Sequence, residues 1–281
     1  MSPSPPSTVA ELTEAVLAGQ HGPAPSTMTV TSAFWLHHTT RLTGGDVTYR
    51  NHYLLLRTGA AFGASAFEPG ELAPDCCATT SGRSLAGLLH HPSTPVRIAA
   101  LDAYLTRVRP HAGAGAEAVT LPGGVPEERA QARDTAVAEL LDIPEGARVA
   151  LIGVVNPLVA AIRLRGGIPL PCDLNLRSTQ WNDPVSEDMT TVLPHADVVV
   201  ATGMTLSNGT FDRLLEHCRS HGTPLIGYAQ TGAAVVRAFL AAGVTALSAE
   251  PFPFSQCSAD STALYRYRSP ATGCVTVQGA P

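Results

Sequence analysis

The residues of this 281-residue chain best suited to chemistry stand where short apolar runs end. Asp173 follows the run 168–172, about 20 residues beyond an earlier apolar run, 149–155. An acid at that spacing accepts the hydroxyls of a ribose in Rossmann-type sites. Asn156 and Asn175 sit at the ends of the same two runs and would add amide contacts. A third run, beginning at 196, empties into Thr202-Gly203-Met204-Thr205-Leu206-Ser207-Asn208, ahead of a helical pattern from 211. Its hydroxyls and amide, with N–H groups at the following helix start, suit the carboxylate or amine end of a ligand. The competing reading is a helix cap made by Ser207 or Asn208. For Asp173 the competing reading is a turn.

The turn after the first run bears on the ligand. It reads Gly153-Val154-Val155-Asn156-Pro157, with one glycine and a proline that removes a donor. A pyrophosphate needs a glycine-rich turn whose backbone N–H groups approach it closely. The expectation is therefore an adenosyl group without phosphates, which favours S-adenosylmethionine over NAD, FAD or ATP. Asp102 and Tyr104, in an expected helix over 95–108, are the candidates for general base or substrate orientation. The bland alternative makes them the polar edge of a core helix.

No metal is expected. His217 and His221 have the i, i+4 spacing of a zinc site but lack its glutamate, and Gly222 marks a helix end where histidines suit the dipole. His37-His38 and His90-His91 splay as neighbours do. The six cysteines contain no C-x-x-C pair, so reduced thiols are expected. A net charge of −5 without a basic, aromatic-laced cluster argues against nucleic acid. No apolar run reaches the 18 or more residues a membrane helix needs, and the start M-S-P-S-P-P-S-T is unlike a signal peptide. A cytoplasmic protein acting on a small molecule is expected, with homo-oligomerisation left open.

These residues need elements to hold them. Thr8 and Glu11 predict a capped helix over 9–18. Strands at 28–40 and 47–58, joined by T-G-G-D, read as a half-exposed hairpin with Tyr49, Tyr53 and Leu55 on one face. A third strand over 59–66, an irregular stretch over 72–80, a helix start at Ser84 and the 95–108 helix complete a small α+β unit. Beyond a helix over 127–141, strands at 149–155, 168–172, 196–203, 223–227 and 244–248 alternate with helices. That order is the mark of an α/β, doubly wound parallel sheet. Residues 264–277 are expected to add edge strands. The domains read as a tail and first helix over 1–25, an α+β domain over 26–110, a Pro/Gly-rich linker over 111–126, and a Rossmann-like ligand-binding domain over 127–281.

The stretch A-D-V-V-V-A-T-G-M-T-L-S-N-G-T-F-D-R-L-L resembles a family labelled for heavy-metal chelation. V-A-L-I-G-V-V-N-P-L-V and S-L-A-G-L-L-H-H-P-S-T-P-V-R-I-A-A-L-D-A add to the likeness, which spans roughly residues 25–250. The resemblance implies an enolase-N-terminal-like α+β domain followed by a Rossmann-like domain. The family usually has Asn where this chain has Asp102, which puts an acid near the domain interface. Some relatives sit in natural-product pathways and form small strained rings by intramolecular displacement. Joined to the adenosyl reading, this implies a lyase that converts S-adenosylmethionine to a cyclopropane or azetidine amino acid and methylthioadenosine, with neither pyridoxal phosphate nor metal. The alternatives are a methyltransferase, a non-catalytic metal-chelate binder, and a subunit of a biosynthetic assembly.

Overall fold

The computed structural model describes residues 5–41, 48–240 and 242–269. The T-G-G-D turn, the side chain of Tyr49 and the expected strand residues beyond 269 lie outside these.

Helix α1 (Val9–Leu17) starts where expected: Thr8 caps it by accepting from the Glu11 N–H at 3.1 Å. Strands β1 (Ser32–Arg41), β2 (Thr48–Thr58) and β3 (Ala61–Ala66) form an antiparallel sheet in that order. The hairpin is half-exposed through β1, which has no buried residue, whereas β2 is covered on both faces. Tyr53 and Leu55 are buried on one face of β2, and Leu54 and Leu56 on the other. Alternation in the sequence marks two faces, and here each has its own cover.

One cover is helical. The stretch expected to be irregular holds the short α2 (Cys76–Thr80), followed by α3 (Leu85–Leu89) and α4 (Thr94–Val108). The α4 face against the sheet carries Ala99 and Ala103, both fully buried. Small side chains let β3 approach so closely that a Cβ on Gly63 would fall 2.1 Å from the Ala103 nitrogen and 2.2 Å from the Ala99 oxygen.

The expected linker is not structureless. It contains β4 (Glu117–Leu121), which joins the large sheet, and leads into α5 (Pro126–Ala138). Then come β5 (Arg148–Ile152), α6 (Asn156–Leu164), β6 (Ile168–Cys172), α7 (Met189–Val192) and β7 (Val198–Thr202). They are followed by α8 (Met204–Ser207), α9 (Phe211–His221), β8 (Leu225–Ala229), α10 (Ala233–Ala238), β9 (Val244–Ala249) and β10 (Thr262–Arg268). The seven-stranded order is β4-β10-β9-β8-β7-β5-β6. Strands β5 to β9 are mutually parallel, and β10 runs antiparallel to both neighbours. The expected terminal edge strand is thus internal, because β4 takes the edge.

Strand residues alternate between two cores. Val149, Leu151, Val198 and Val200 pack under Val137, Leu158 and Ile162 of α5 and α6. Ala150, Val199, Leu225 and Leu247 face the other way, into a core that runs on through Phe239 and Phe211 to Tyr104, Leu54 and Leu12. The small sheet and the large one therefore share a continuous apolar interior.

Candidate active-site crevice

After β5 the chain crosses to β6 on one side and returns to β7 on the other. In open α/β sheets such a reversal leaves a crevice at the carboxyl ends of the strands. The turn that enters it commits two of its backbone donors internally. The Gly153 N–H donates to the Cys172 carbonyl at 2.9 Å, and the Val154 N–H to Asp173 Oδ2 at 2.9 Å. Pro157 has no donor to offer. The Gly153 and Val154 N–H groups are therefore held within the turn. The Tyr228 hydroxyl, at the end of β8, reaches across β7 to donate to the Gly153 carbonyl, and so roofs the reversal point.

Asp173 is half-buried here, and its Oδ1 also accepts from the N–H groups of Asn175 at 2.8 Å and Leu176 at 3.0 Å. An ionised carboxylate has about four acceptor positions, so three backbone donors leave room for one ribose hydroxyl rather than two. Asn156 opens α6, and its Oδ1 accepts from the Gln180 N–H at 3.1 Å, tying down the 174–188 segment. Asn175 is exposed and lies at 3.5 Å from Glu68 Oε1.

The Thr202–Asn208 stretch is a helical turn rather than an open loop. The hydroxyl of Thr205, 1% exposed, donates to the Thr202 carbonyl at 2.8 Å, and that of Ser207 to the Met204 carbonyl at 3.0 Å. Asn208 Oδ1 accepts from both the N–H and the hydroxyl of Thr210, at 3.1 and 2.7 Å. Gly203 is buried where a Cβ would meet the Thr231 oxygen at 2.3 Å. Met204 packs toward Tyr53, Leu55 and Phe254. Thr202 stays half-buried at the crevice floor.

The two catalytic candidates are structural. Asp102, 4% exposed, accepts from the N–H of Ala64 on β3 at 2.9 Å and of Ala234 on α10 at 2.8 Å, with Val235 as a further backbone donor. A residue of α4 thus supplies the cap for a helix that has none of its own. Burial pushes its carboxyl up to about 6, against the pull of those N–H groups and of Arg237. Tyr104 is fully buried and donates to the Pro23 carbonyl at 3.0 Å. Neither side chain reaches the crevice.

The structure assembles a different set there. Glu250, just past β9 and 2% exposed, accepts from Gln230 Nε2 at 2.7 Å and from the Ser255 N–H. Gln230 and Gln256 exchange hydrogen bonds at 2.7 and 3.0 Å, and Gln256 Nε2 reaches the Tyr53 hydroxyl at 3.2 Å. This chain of amides links the large sheet to the small one. From α5, Arg133 directs Nε and Nη2 at Asp134 Oδ1, both at 3.0 Å. Burial works against the Arg133 charge, but Asp134 and Glu250 outweigh it and hold the guanidinium charged. Burial pushes the Asp134 carboxyl up, and Arg133 opposes that rise. Burial also raises the Tyr53 and Tyr228 phenols; Arg133 acts on both, and Asp173 and Asp134 both act on Tyr228. The two ends of the crevice therefore meet electrostatically at Tyr228.

Sequence reasoning missed Arg133, Asp134 and Tyr53 as site residues. A charged pair at adjacent helical positions does not share a face and reads as solvated surface. The available signal was the alanine-rich setting of 130–138, which leaves a helix face small enough to bury. Among the described residues no group of three or more His, Cys, Asp or Glu gathers as a metal site would, and no helix is long and apolar enough to cross a membrane.

Residues 136–249 match the family model DUF364, described as "Putative heavy-metal chelation". No curated protein matches the chain. A DUF364-family protein of unknown function from Desulfitobacterium hafniense DCB-2 is 17% identical, with a TM-score of 0.59 over 86% of this chain and 86% of its own. Another, from Pyrococcus horikoshii, is 16% identical, with a TM-score of 0.53 over 84% of this chain and 93% of its own. At such identities the likeness is one of fold. The resemblance carried by the T-G-M-T-L-S-N-G-T run therefore holds: the chain matches DUF364 over residues 136–249 and shares the fold of that family's solved structures over most of its length.

Proposed function

We propose that the chain binds S-adenosylmethionine in this crevice and cleaves its Cγ–S bond by intramolecular cyclisation, releasing methylthioadenosine. The observation that carries the reading is the charge set Arg133, Asp134 and Glu250, one cation with two acids, the acids almost wholly buried. Buried charges need partners. An α-amino acid zwitterion supplies both kinds, its carboxylate to the arginine and its ammonium to the acids. The set carries one net negative charge when both acids are ionised, and S-adenosylmethionine carries one net positive charge through its sulfonium. The adenosyl end then lies toward Asp173, Thr202 and Tyr228, where Gly153 and Val154 already commit their N–H groups within the turn.

The chemistry asks little more of the protein. The sulfonium leaves as a neutral thioether, so no ion is required to stabilise it. Holding the amino-acid arm folded toward Cγ supplies proximity, worth up to about 7–11 kcal/mol of the barrier. The small sheet, with Tyr53 over the amide chain, covers that end of the crevice.

Mass spectrometry of the purified chain with S-adenosylmethionine alone tests the reading. Methylthioadenosine with a cyclic amino acid is expected, whereas S-adenosylhomocysteine formed with an added acceptor would point to methyl transfer. Neither turnover nor ligand-induced thermal stabilisation would sink it. Arg133→Lys keeps the charge beside Asp134 but loses the planar fork, and should weaken binding about tenfold, the scale of one charge-assisted hydrogen bond.

A further inference from the structure

Residues that face each other across an antiparallel pair share a side of the sheet. His38 pairs with Asn51, and two residues along each strand Leu36 pairs with Tyr53. His38 therefore lies on the face whose Tyr53 and Leu55 meet Phe254 and the amide chain of the crevice. Its Nε2 lies 2.6 Å from the Thr40 hydroxyl, whereas its Nδ1 is buried and has no hydrogen-bond partner among the described residues. A buried ring nitrogen without a partner is costly unless something else meets it.

We infer that His38 is the proton acceptor for the amino-acid arm, taking through Nδ1 a proton from the α-ammonium of S-adenosylmethionine bound in the crevice. This deepens the proposed function and rests on it. When the Thr40 hydroxyl accepts from Nε2–H, Nδ1 is left with its lone pair, the tautomer a base requires. Burial lowers the imidazole pKa, and Arg133 lowers it further, so the ring is neutral and able to accept at pH 7. Arg133 of α5 acts on the ring, Tyr53 lies beside it on β2, and Asp134, Glu250 and Cys257 act in turn on Arg133 or Tyr53.

The step balances without a co-reactant. The α-ammonium gives one proton to His38. The freed nitrogen lone pair attacks Cγ and forms the N–Cγ bond. The Cγ–S bond breaks with its electron pair going to sulfur, which leaves as neutral methylthioadenosine. The product is the four-membered azetidine-2-carboxylate, a neutral zwitterion, and the proton passes from His38 to water. Taking the Cα proton instead would make a carbanion beside a carboxylate, with only hydrogen bonds to spread its charge. An imidazole is far too weak a base for that, so the three-membered ring is not the product inferred here.

The test compares the parent with His38→Gln and with His38→Ala supplied with free imidazole. Turnover of His38→Gln should fall at least about 100-fold, the scale of one general base. Its thermal stabilisation by S-adenosylmethionine should match the parent's, and imidazole should restore part of the His38→Ala rate. Turnover of His38→Gln within a few-fold of the parent, or a cyclopropane product from the parent, would overturn the role of His38 while leaving the binding reading intact. Loss of stabilisation along with turnover would make His38 a binding residue and equally overturn it. A parent that neither binds nor turns over would remove both.

Discussion

Asp102 offers the sharpest test, because its burial has a consequence of known sign. Its folded pKa of about 6 stands above the ordinary 3.8, so the native state holds its proton more tightly than the unfolded chain does. The stability this confers is fully present below pH 3.8 and is lost as pH rises through 6. A rise of about 2 units corresponds to about 3 kcal/mol, an upper figure. Asp102→Asn removes that titration. It also sets an amide N–H against one of the backbone donors from Ala64 and Ala234, which costs about 1–3 kcal/mol. Urea denaturation of both chains from pH 4 to pH 8 should therefore show the variant weaker at pH 4. The gap should close or reverse by pH 7, with the change complete near pH 6. The difference between the curves matters, since other groups move both. His111, pushed down to about 3 by burial, destabilises each chain equally as pH falls below its ordinary 6.5. Parallel curves would refute the buried, titrating carboxylate. A 100-fold loss of turnover with stability unchanged would refute the capping role and restore Asp102 as a base.

Gly63→Ala should destabilise the chain by about 3 kcal/mol, the upper range of overpacking, because its Cβ would meet backbone of α4 that cannot swing aside; calorimetry should show a drop of several degrees in Tm. Arg129, 1% exposed, donates to the carbonyls of Pro122, Ser255 and Asp260 and to the Thr262 hydroxyl, so Arg129→Met should cost at least about 3 kcal/mol in urea midpoint measurements. A loss under 1 kcal/mol would mean that water replaces the guanidinium.

The five parallel strands were legible because strands buried on both faces must be apolar throughout, and 149–152 or 198–201 have no other reading. At β2 the hairpin misled for a related reason: Leu54 and Leu56 are as apolar as Tyr53 and Leu55, so the pattern did not show that both faces of that strand are covered. Strand β4 hid in a stretch whose glycines and alanines read as linker, and β10 alternates Tyr265 and Tyr267 with arginines as an edge strand does. That edge is closed by β4, and Arg266 meets Glu117 there and Glu139 nearby. Local pattern does not say which strand arrives last beside another.

The site was legible as a place more than as a set of side chains, and the cause is physical. Residues that grip ligands in loops are also those that close turns, and a turn satisfies its own backbone first. Asp173, Asn208, Thr205 and Ser207 each spend most of their acceptors or donors on the chain around them. The groups with capacity for a ligand come from elements whose sequence role looked different. Arg133 stands in a helix that reads as solvated, and His38 and Tyr53 in strands that read as half-exposed. What commits them is the meeting of the small sheet with the carboxyl edge of the large one. Gln256 and Tyr53, 203 residues apart, make that contact, and no spacing rule connects them. If Asp102 holds α10 to β3 as its three donors indicate, it acts on chemistry only by keeping the two sheets in register. Asp102→Asn should then alter the substrate KM before it alters the pH dependence of turnover, and a shifted acid limb with an unchanged KM would contradict that division of labour.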